Sequence, residues 1–303
     1  MKLIKSSATC LQPSGYGLND IYKSIEIAGR TCYKSKMSDD PESFVKKMIN
    51  SDHLAMLEHG TLYLNIRLGI PIVDPGFVEK TSIIQVFKSD PHSRVNRYNE
   101  LVQLDDGSQA NIDSYAITTN YRVFVERIVR GDFEFGSVEK YVLSFLCEPT
   151  EHHDQRFTFK IICDRGVSHE LVRHRVFSFA QESTRYCNYT KDQFGSELSF
   201  IIPVHLNIPE GEWYGDGSTN ESNILLTSLA RVEQDYIYPI NCGGQPQQAR
   251  AVLPNALKTE VIMTGYEKDW QHFIALRYNG TTGAPHPDMK RVASFIADHF
   301  EQK

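Results

Sequence analysis

The stretch that decides the fold is residues 157–189, which read FTFKIICDRGVSHELVRHRVFSFAQESTRYCNY. Residues 156–163 are rich in Phe and Ile, which is typical of a buried strand. Asp164 follows, and Asp is a favoured residue just before a helix begins. The sequence therefore predicts a strand, then a helix over about residues 166–177 that ends in basic residues.

Those basic residues suit an anion. Arg173, His174 and Arg175 are consecutive, and Arg185 follows ten residues later. On a continuous helix Glu170 and His174 share one face, because they are four residues apart. An ordinary solvated helix face is the alternative interpretation of that pair.

Hydrogen-bonding and aromatic side chains follow the basic residues closely. Guanidinium groups suit phosphate, and aromatic rings suit a flat heterocycle. Together these residue types predict a nucleotide site. The residues concerned are Ser178, Gln181, Ser183, Thr184 and Arg185, beside Phe177, Phe179 and Tyr186.

Composition limits the class of protein. The chain has 303 residues and a net charge of -6, from 32 basic and 38 acidic residues, which disfavours a general nucleic-acid binder. The six cysteines are scattered without a CxxC pair, which favours reduced thiols in a cytoplasm. No stretch approaches the ~20 apolar residues that a membrane helix needs. We therefore expect a cytoplasmic protein with no nucleic-acid or membrane partner.

Apolar periodicity predicts most other elements. Helices are predicted over residues 19–31, 41–49, 138–146, 221–237, 266–276 and 287–300, and strands over residues 2–8, 62–66, 114–129, 198–202 and 257–264. Between residues 67 and 151, Pro and Gly interrupt short runs. We predict one catalytic domain over 1–303, with an inserted subdomain at about 67–151.

Several residues allow two interpretations. His169 and His174 would diverge by about 140° on a helix, so the segment HELVRH predicts no zinc site. Cys187 lies among basic residues and is either an activated nucleophile or, as we favour, a packed thiol. Arg250 and Arg277 lie in apolar surroundings, where a guanidinium needs either a structural ion pair or a bound anion.

The segment RHRVFSFAQES contains Arg-His-Arg, seven further residues and Ser, and it continues as TRY. This motif resembles the signature of the flavin-dependent thymidylate synthases, the ThyX family. The resemblance extends to HLAMLEHGTLYL at 53–64, FTFKIICDRGVSHELV at 157–172, QARAVLPNALKTEVIMTG at 248–265 and HFIALR at 272–277. The order of the motifs is also that of the family.

The resemblance implies an α/β fold of the α+β type, with a mixed β-sheet flanked by helices and a peripheral insertion. It implies a homotetramer whose sites combine several subunits. The implied reaction transfers the methylene of 5,10-methylenetetrahydrofolate to carbon 5 of dUMP. A hydride from FADH2, regenerated by NADPH, reduces it to give dTMP and tetrahydrofolate. The implied cofactor is FAD, with NADPH and the folate as co-substrates.

The resemblance also assigns roles to single residues. Arg277 matches the arginine that polarises the uracil, and it is the predicted catalytic residue. The predicted dUMP-binding residues are Glu170, Arg173, Gln181, Glu182, Ser183, Thr184, Arg185, Arg250 and Arg277. The predicted FAD-binding residues are His53, Ala55, Glu58, Arg173, His174, Arg175, Gln181 and His272.

The chain departs from the family pattern in three places. Ala180 stands where many members have Asn, and Glu170 where many have Gln. A glutamate repels a phosphate unless an arginine intervenes or the carboxylate turns away. The long separation between His59 and Phe157 is the third departure. These features leave two alternatives open: a flavoenzyme with another acceptor or one-carbon donor, and a non-catalytic nucleotide- or RNA-binding module.

Overall fold

Helices and strands are interspersed along the chain, and the computed structural model describes residues 1–69, 74, 76–103, 107–131, 138–191, 195–213 and 221–302. The strands are β1 (Lys2–Ile4), β2 (Ser7–Cys10), β3 (Thr61–Leu68), β4 (Arg94–Gln103), β5 (Gln109–Asn120), β6 (Arg156–Asp164), β7 (Ser178–Gln181), β8 (Ser199–Ile201), β9 (Gly211–Glu212) and β10 (Lys258–Tyr266). The helices are α1 (Leu18–Tyr33), α2 (Pro41–Asn50), α3 (Phe77–Ser89), α4 (Tyr121–Phe124), α5 (Val138–Leu143), α6 (Arg165–Leu171), α7 (Glu221–Asn241), α8 (Pro246–Ala249), α9 (Glu267–Arg277) and α10 (Pro287–Glu301). Leu54–His59 and Arg250–Val252 form 3-10 turns, and Val125–Val129 forms a π-helical turn.

The chain divides into two compact units. The first unit comprises Met1–Leu11, Gly29–Lys36 and Thr158–Lys303, and the second comprises Gln12–Ala28 and Met37–Phe157. Each unit contains both helices and strands. The predicted α+β class is therefore confirmed.

A four-stranded sheet in the order β2-β6-β10-β7 forms the centre of the first unit. Strand β2 pairs antiparallel with β6, and β7 pairs antiparallel with β10, where Gln181 lies opposite Val261. Because β7 is at the end of this order, the segment that follows Gln181 leaves from an edge of the sheet. That segment carries the predicted nucleotide-binding residues.

The first unit also contains a three-stranded mixed sheet, in which β1 pairs parallel with β8 and antiparallel with β9. We predicted one strand over residues 2–8, and this prediction is wrong, because β1 and β2 belong to different sheets. The backbone N–H of Lys5 donates to Oε1 of Glu210 (2.7 Å) instead of to a neighbouring strand. The chain leaves one sheet at this point and joins the other.

Aromatic side chains form a core on the four-stranded sheet. Trp270 is fully buried, and its ring centroid lies 4.7 Å from that of Phe159 and 4.5 Å from that of Phe177. A β-carbon at position 265 would overlap the ring of Phe177, so Gly265 on β10 permits this contact. The position of Phe177 fixes the chain immediately before β7 and immediately after the basic residues.

The second unit is built on an antiparallel sheet in the order β3-β5-β4. Its core includes Leu57, Leu64, Phe87 and Phe124. Strand β5 lies between the other two, although it belongs to the range that we predicted to be inserted. The bounds of that insertion stay a prediction, and parts of it lie outside the described residues.

The predicted strand over 114–129 is correct only as far as Asn120. The side-chain oxygen of Asn120 accepts a hydrogen bond from the backbone N–H of Val123 (3.1 Å), which caps α4 and ends the strand. The apolar run therefore continues as helical turns, since a cap formed by one side chain overrides the β-propensity of the residues that follow.

The predicted helices agree with the structure better in their positions than in their exact ends. Helices α1, α2, α9 and α10 lie within about two residues of their predicted bounds, as is usual for helix ends. The helix predicted over 138–146 ends at Leu143, and the one predicted over 221–237 continues to Asn241. On this helix Ile224 is 62% exposed, whereas Leu226 is buried. Within the described ranges, no helix is both long enough and apolar enough to cross a membrane.

Candidate functional site

The basic residues Arg173, His174 and Arg175 lie in a turn and not on a helix. Asp164 caps α6 by accepting from the backbone N–H of Val167 (2.8 Å), as predicted, but α6 ends at Leu171. The prediction of a helix to residue 177 is therefore wrong. The cause is the following strand, because β7 begins at Ser178 and the chain must reverse direction to pair with β10.

Arg277 at the end of α9 meets the turn. Its Nη1 donates to Oε2 of Glu170 (2.9 Å), and its Nε donates to Nε2 of His174 (3.0 Å). Glu170 and Arg277 are 107 positions apart in the sequence. An arginine thus neutralises Glu170, which meets the condition for a glutamate near a phosphate. A guanidinium has five N–H donors, of which these two bonds use two.

His174 is neutral in this arrangement. Its Nε2 accepts from Arg277, so the proton of the neutral ring belongs on Nδ1. Burial is the largest cause that lowers the pKa of His174, and the positive charge of Arg277 and the neighbouring His272 lower it further, to about 4. The ring also packs edge to face on Phe273, with centroids 4.9 Å apart. His174 therefore holds the Arg277 guanidinium in one orientation without adding charge.

Four arginines, two in this turn and two later in the chain, have exposed side chains. Arg173 and Arg175 are exposed, and within the described residues neither side chain has an acidic partner. Arg185 is also exposed and lies over the ring of Tyr186, 5.2 Å from its centroid. Arg250 is exposed on its 3-10 turn, so our expectation of a guanidinium in apolar surroundings is wrong for this residue. Such groups are suited to phosphate oxygens.

Gln181 and Glu182 point to opposite faces, as expected for successive residues at a strand end. Nε2 of Gln181 donates to Oγ of Ser168 (2.9 Å) and to Oγ1 of Thr259 (3.2 Å). Glu182 is 2% exposed and accepts from the Tyr189 hydroxyl (2.9 Å). The Gln181 side chain thus faces α6, whereas the Glu182 side chain faces the interior.

Glu182 belongs to a group of charges around two buried carboxylates, which we call the lysine–glutamate network: Lys34, Lys160, Lys258, Glu182 and Glu260. Nζ of Lys258 lies 2.9 Å from Oε2 of Glu182 and 2.7 Å from Oε1 of Glu260. A cavity of about 190 Å³ adjoins the network and is lined by Lys34, Glu182, Tyr189, Glu197, Ser199, Leu257 and Lys258. The sequence reasoning missed the three lysines and Glu260, although charged residues within the otherwise buried strand KTEVIMTGY were a usable signal.

The loop after Glu182 is held by its backbone. The N–H of Ser183 donates to the carbonyl of Cys32 (3.0 Å), and the N–H of Cys187 donates to the carbonyl of Ser183 (3.0 Å). Thr184 is only 8% exposed. Cys187 is fully buried, and burial raises its pKa to about 12, which confirms the packing interpretation of this thiol.

The remaining predicted flavin contacts are divided between the units. His272 lies exposed on α9 in the first unit. His53 and Ala55 are exposed in the second unit, where His53 precedes the 3-10 turn Leu54–His59. Glu58 on that turn accepts from Nη1 of Arg122 (2.6 Å). Sequence reasoning missed Arg122, because no pattern relates it to a glutamate 64 positions earlier.

The sequence was compared with known proteins. The profile of the family described as thymidylate synthase complementing protein matches residues 106–303. A flavin-dependent thymidylate synthase of Pyrococcus furiosus is 32% identical over 156 residues, covering 50% of this chain and 57% of that protein. One of Mycobacterium avium is 34% identical over 125 residues, covering 37% of this chain and 45% of that protein. The chain thus spans about half the length of the curated relatives it matches.

A solved structure also aligns with the chain. It is the crystal structure of a UMP/dUMP methylase from Streptomyces cacaoi bound with 5-Br UMP. It is 16% identical, with a TM-score of 0.42, and the alignment covers 100% of this chain and 92% of that chain. These values are too low to support an inference about this chain.

Proposed function

The chain belongs to the thymidylate synthase complementing protein family, and from this premise we propose that it is a flavin-dependent thymidylate synthase. It transfers the methylene of 5,10-methylenetetrahydrofolate to carbon 5 of dUMP and yields dTMP and tetrahydrofolate. FAD is its cofactor, and NADPH is the reductant. The names of the curated relatives support the flavin and the reaction.

One observation carries the proposal beyond family membership. Arg277, the predicted catalytic residue, contacts Glu170 on α6 and His174 of the basic motif, although both are far from α9 in sequence. The two hydrogen bonds fix the guanidinium and leave three N–H donors for a substrate. A fixed cation of this kind stabilises the negative charge that develops on a uracil ring during attack at carbon 5.

The residues present also fit phosphate-bearing ligands. Arg173, Arg175, Arg185 and Arg250 are exposed, and dUMP and FAD both carry phosphate. We propose that Arg185 and Arg250 bind the dUMP phosphate and that Arg173 and Arg175 bind the flavin nucleotide. When bound, FAD supplies the hydride. The other roles proposed for this chain are those given from the resemblance, with Gln181, Ser183 and Thr184 at dUMP and His53, Ala55, Glu58 and His272 at FAD.

The remaining proposals concern the assembly and the compartment. We propose a homotetramer in the cytoplasm, with one catalytic domain over 1–303 and an inserted subdomain at about 67–151. The net charge of -6 supports the absence of a nucleic-acid partner.

The test is direct. Purified protein is titrated with FAD, and flavin fluorescence reports binding. It is then incubated with dUMP, methylenetetrahydrofolate and NADPH, and dTMP is measured by mass spectrometry. Wild-type protein should bind FAD and form dTMP. No flavin binding, or flavin binding without dTMP, would refute the proposal.

A matched pair of arginine variants tests the role of Arg277. Arg277→Met should lower the rate of dTMP formation at least ~100-fold, as loss of a fixed donor to a developing anion does. Arg231→Met removes an arginine that is exposed on α7, so its rate should stay within about twofold of wild type. Equal rates for the two variants would exclude Arg277 from catalysis.

A further inference from the structure

The lysine–glutamate network holds two carboxylates in the protein interior, where a negative charge has a high free-energy cost. Glu182 and Glu260 are 2% and 7% exposed, and a buried carboxylate without a charged partner is strongly unfavourable. Lys258 bridges the two carboxylates. Burial opposes ionisation of Glu260, but Lys258 and Lys34 outweigh it and hold the pKa of Glu260 well below its ordinary value. Both carboxylates therefore depend on the lysines.

Lys34 contributes from the end of α1. Its ammonium group contacts Glu260 and lies 3.8 Å from Oε2 of Glu182. Lys160 on β6 lies 2.9 Å from Oε2 of Glu260. Lys160 and Lys34 are 38% and 23% exposed, whereas Lys258 is 14% exposed. Lys258 and Lys34 are thus the least exposed of the three lysines.

The backbone of Lys34 is strained. Its φ is +51°, in the left-handed region that Gly or Asn normally occupies after a helix. Lysine has no preference for this conformation. The side-chain contacts with Glu182 and Glu260 help to offset its cost, together with the hydrogen bond from the backbone N–H of Ser35 to the carbonyl of Arg30 (3.3 Å).

The network is continuous with the candidate nucleotide loop, residues 183–185. The backbone N–H of Glu182 donates to the carbonyl of Glu260 (2.9 Å). The next N–H, that of Ser183, donates to the carbonyl of Cys32 near the end of α1. The loop is therefore joined to β10 through the Glu182–Glu260 backbone contact and to α1 through the Ser183–Cys32 contact, and Lys258 and Lys34 neutralise the two carboxylates of the first contact.

We propose that Lys34 and Lys258 are positioning residues, which act through Glu182 to hold residues 183–185 in the conformation that binds a nucleotide phosphate. In this role they act through Glu182 and need no contact with the nucleotide or the flavin. The identity of the nucleotide rests on the proposed function, whereas the effect on the loop does not. The lysines should consequently set dUMP affinity while leaving the chemical step almost unchanged.

Hydrogen exchange measured by mass spectrometry tests the effect on the loop. In Lys258→Met, peptides that cover 182–190 should exchange at least about tenfold faster, which corresponds to ~1.4 kcal/mol. Peptides from α10 should be unchanged. Lys268→Met is the control, because Lys268 is exposed on α9. Equal loop exchange in Lys258→Met and the control would overturn the proposal.

The variant Lys34→Gly distinguishes the effect of the Lys34 ammonium group on the loop from the effect of the backbone conformation at this position. Glycine adopts a positive φ without strain, so the substitution favours the native backbone. If Lys34 served only to end α1, loop exchange would stay the same or slow down, and this result would overturn its assigned role. We expect faster loop exchange, because the ammonium group is lost.

Kinetics test the link to binding. The KM for dUMP should rise about tenfold in Lys258→Met, with kcat within about threefold of wild type. The double variant Lys258→Met/Glu182→Gln removes both charges, so it should regain thermal stability but keep the raised KM. An unchanged KM despite faster loop exchange would overturn the proposal. If wild-type protein binds no dUMP, the proposed function fails separately, and the exchange rates alone decide whether the lysines position the loop.

Discussion

His174 should remain uncharged at every pH above about 5, and a titration that observes this one imidazole ring can test the prediction. Its pKa is lowered to about 4, from an ordinary value near 6.5. A shift of this size corresponds to at most about 3 kcal/mol of preference for the neutral ring. Burial is the largest cause, and Arg277 comes next, followed by His272.

The sign of the effect on stability follows from these values. Between about pH 4 and pH 6.5 the unfolded chain binds a proton at His174 and the folded chain does not. The contribution of His174 to the free energy of unfolding is therefore complete above pH 6.5. It is lost as the pH falls from 6.5 towards 4.

The perturbation is Arg277→Met. It removes the guanidinium that contacts His174, and it also leaves the Glu170 carboxylate without this partner. The pKa of His174 should rise by about one or more, but burial should keep it below its ordinary value.

The assay is an NMR titration of ring-labelled histidine. The chain has 11 histidines, so the His174 signal is assigned with His174→Gln. Two results would refute the reasoning: a wild-type pKa near 6.5, or no change in Arg277→Met. The first would mean that the fold does not keep the ring neutral between about pH 5 and its ordinary pKa, and the second that Arg277 does not act on it.

Two further predictions concern packing and thiols. Gly265→Ala should lower the free energy of unfolding by about 1–3 kcal/mol, because the new methyl group overlaps Phe177. Urea unfolding measures this loss. Gly17→Ala is the control, since the nearest atom to the new methyl group is 3.6 Å away, and an equal loss in both variants would contradict the prediction. Cys242 is exposed and should react with a disulfide reagent in native protein, whereas Cys187 should react only after unfolding. Mass-spectrometric mapping of the modified thiols decides this, and early modification of Cys187 would count against its burial.

Local signals in the sequence predicted where elements begin. Asp164 marks the start of α6 because the cap is a contact within three residues, and such contacts depend only on neighbouring sequence. The end of α6 depends on the pairing of β7 with β10, about eighty residues later in the chain. No local pattern carries that information, so the helix was predicted too long.

The same distinction applies to the candidate site. The residues 173–175 attracted attention as a basic cluster, but neither the sequence pattern nor the family resemblance predicted the contact of His174 with Arg277, which lies 103 positions later. Lys34 was missed for a different reason. A lysine after a helix is ordinary in sequence, and only its φ of +51° and its buried partners distinguish it. The role of Arg122 likewise depends on tertiary structure.

The opposite orientation of Gln181 and Glu182 has a consequence for protein engineering. A library that randomises the loop while keeping Lys258 fixed should recover acidic residues at position 182, because other residues remove one of the two carboxylates that pair with the Lys258 ammonium group. Substitutions at 182, 258 and 260 are thus epistatic, and a tolerated change at one site depends on the order in which the others arise. Arg185 faces solvent and should vary independently of them for folding. Loop redesign should therefore change positions 182, 258 and 260 together and not one at a time.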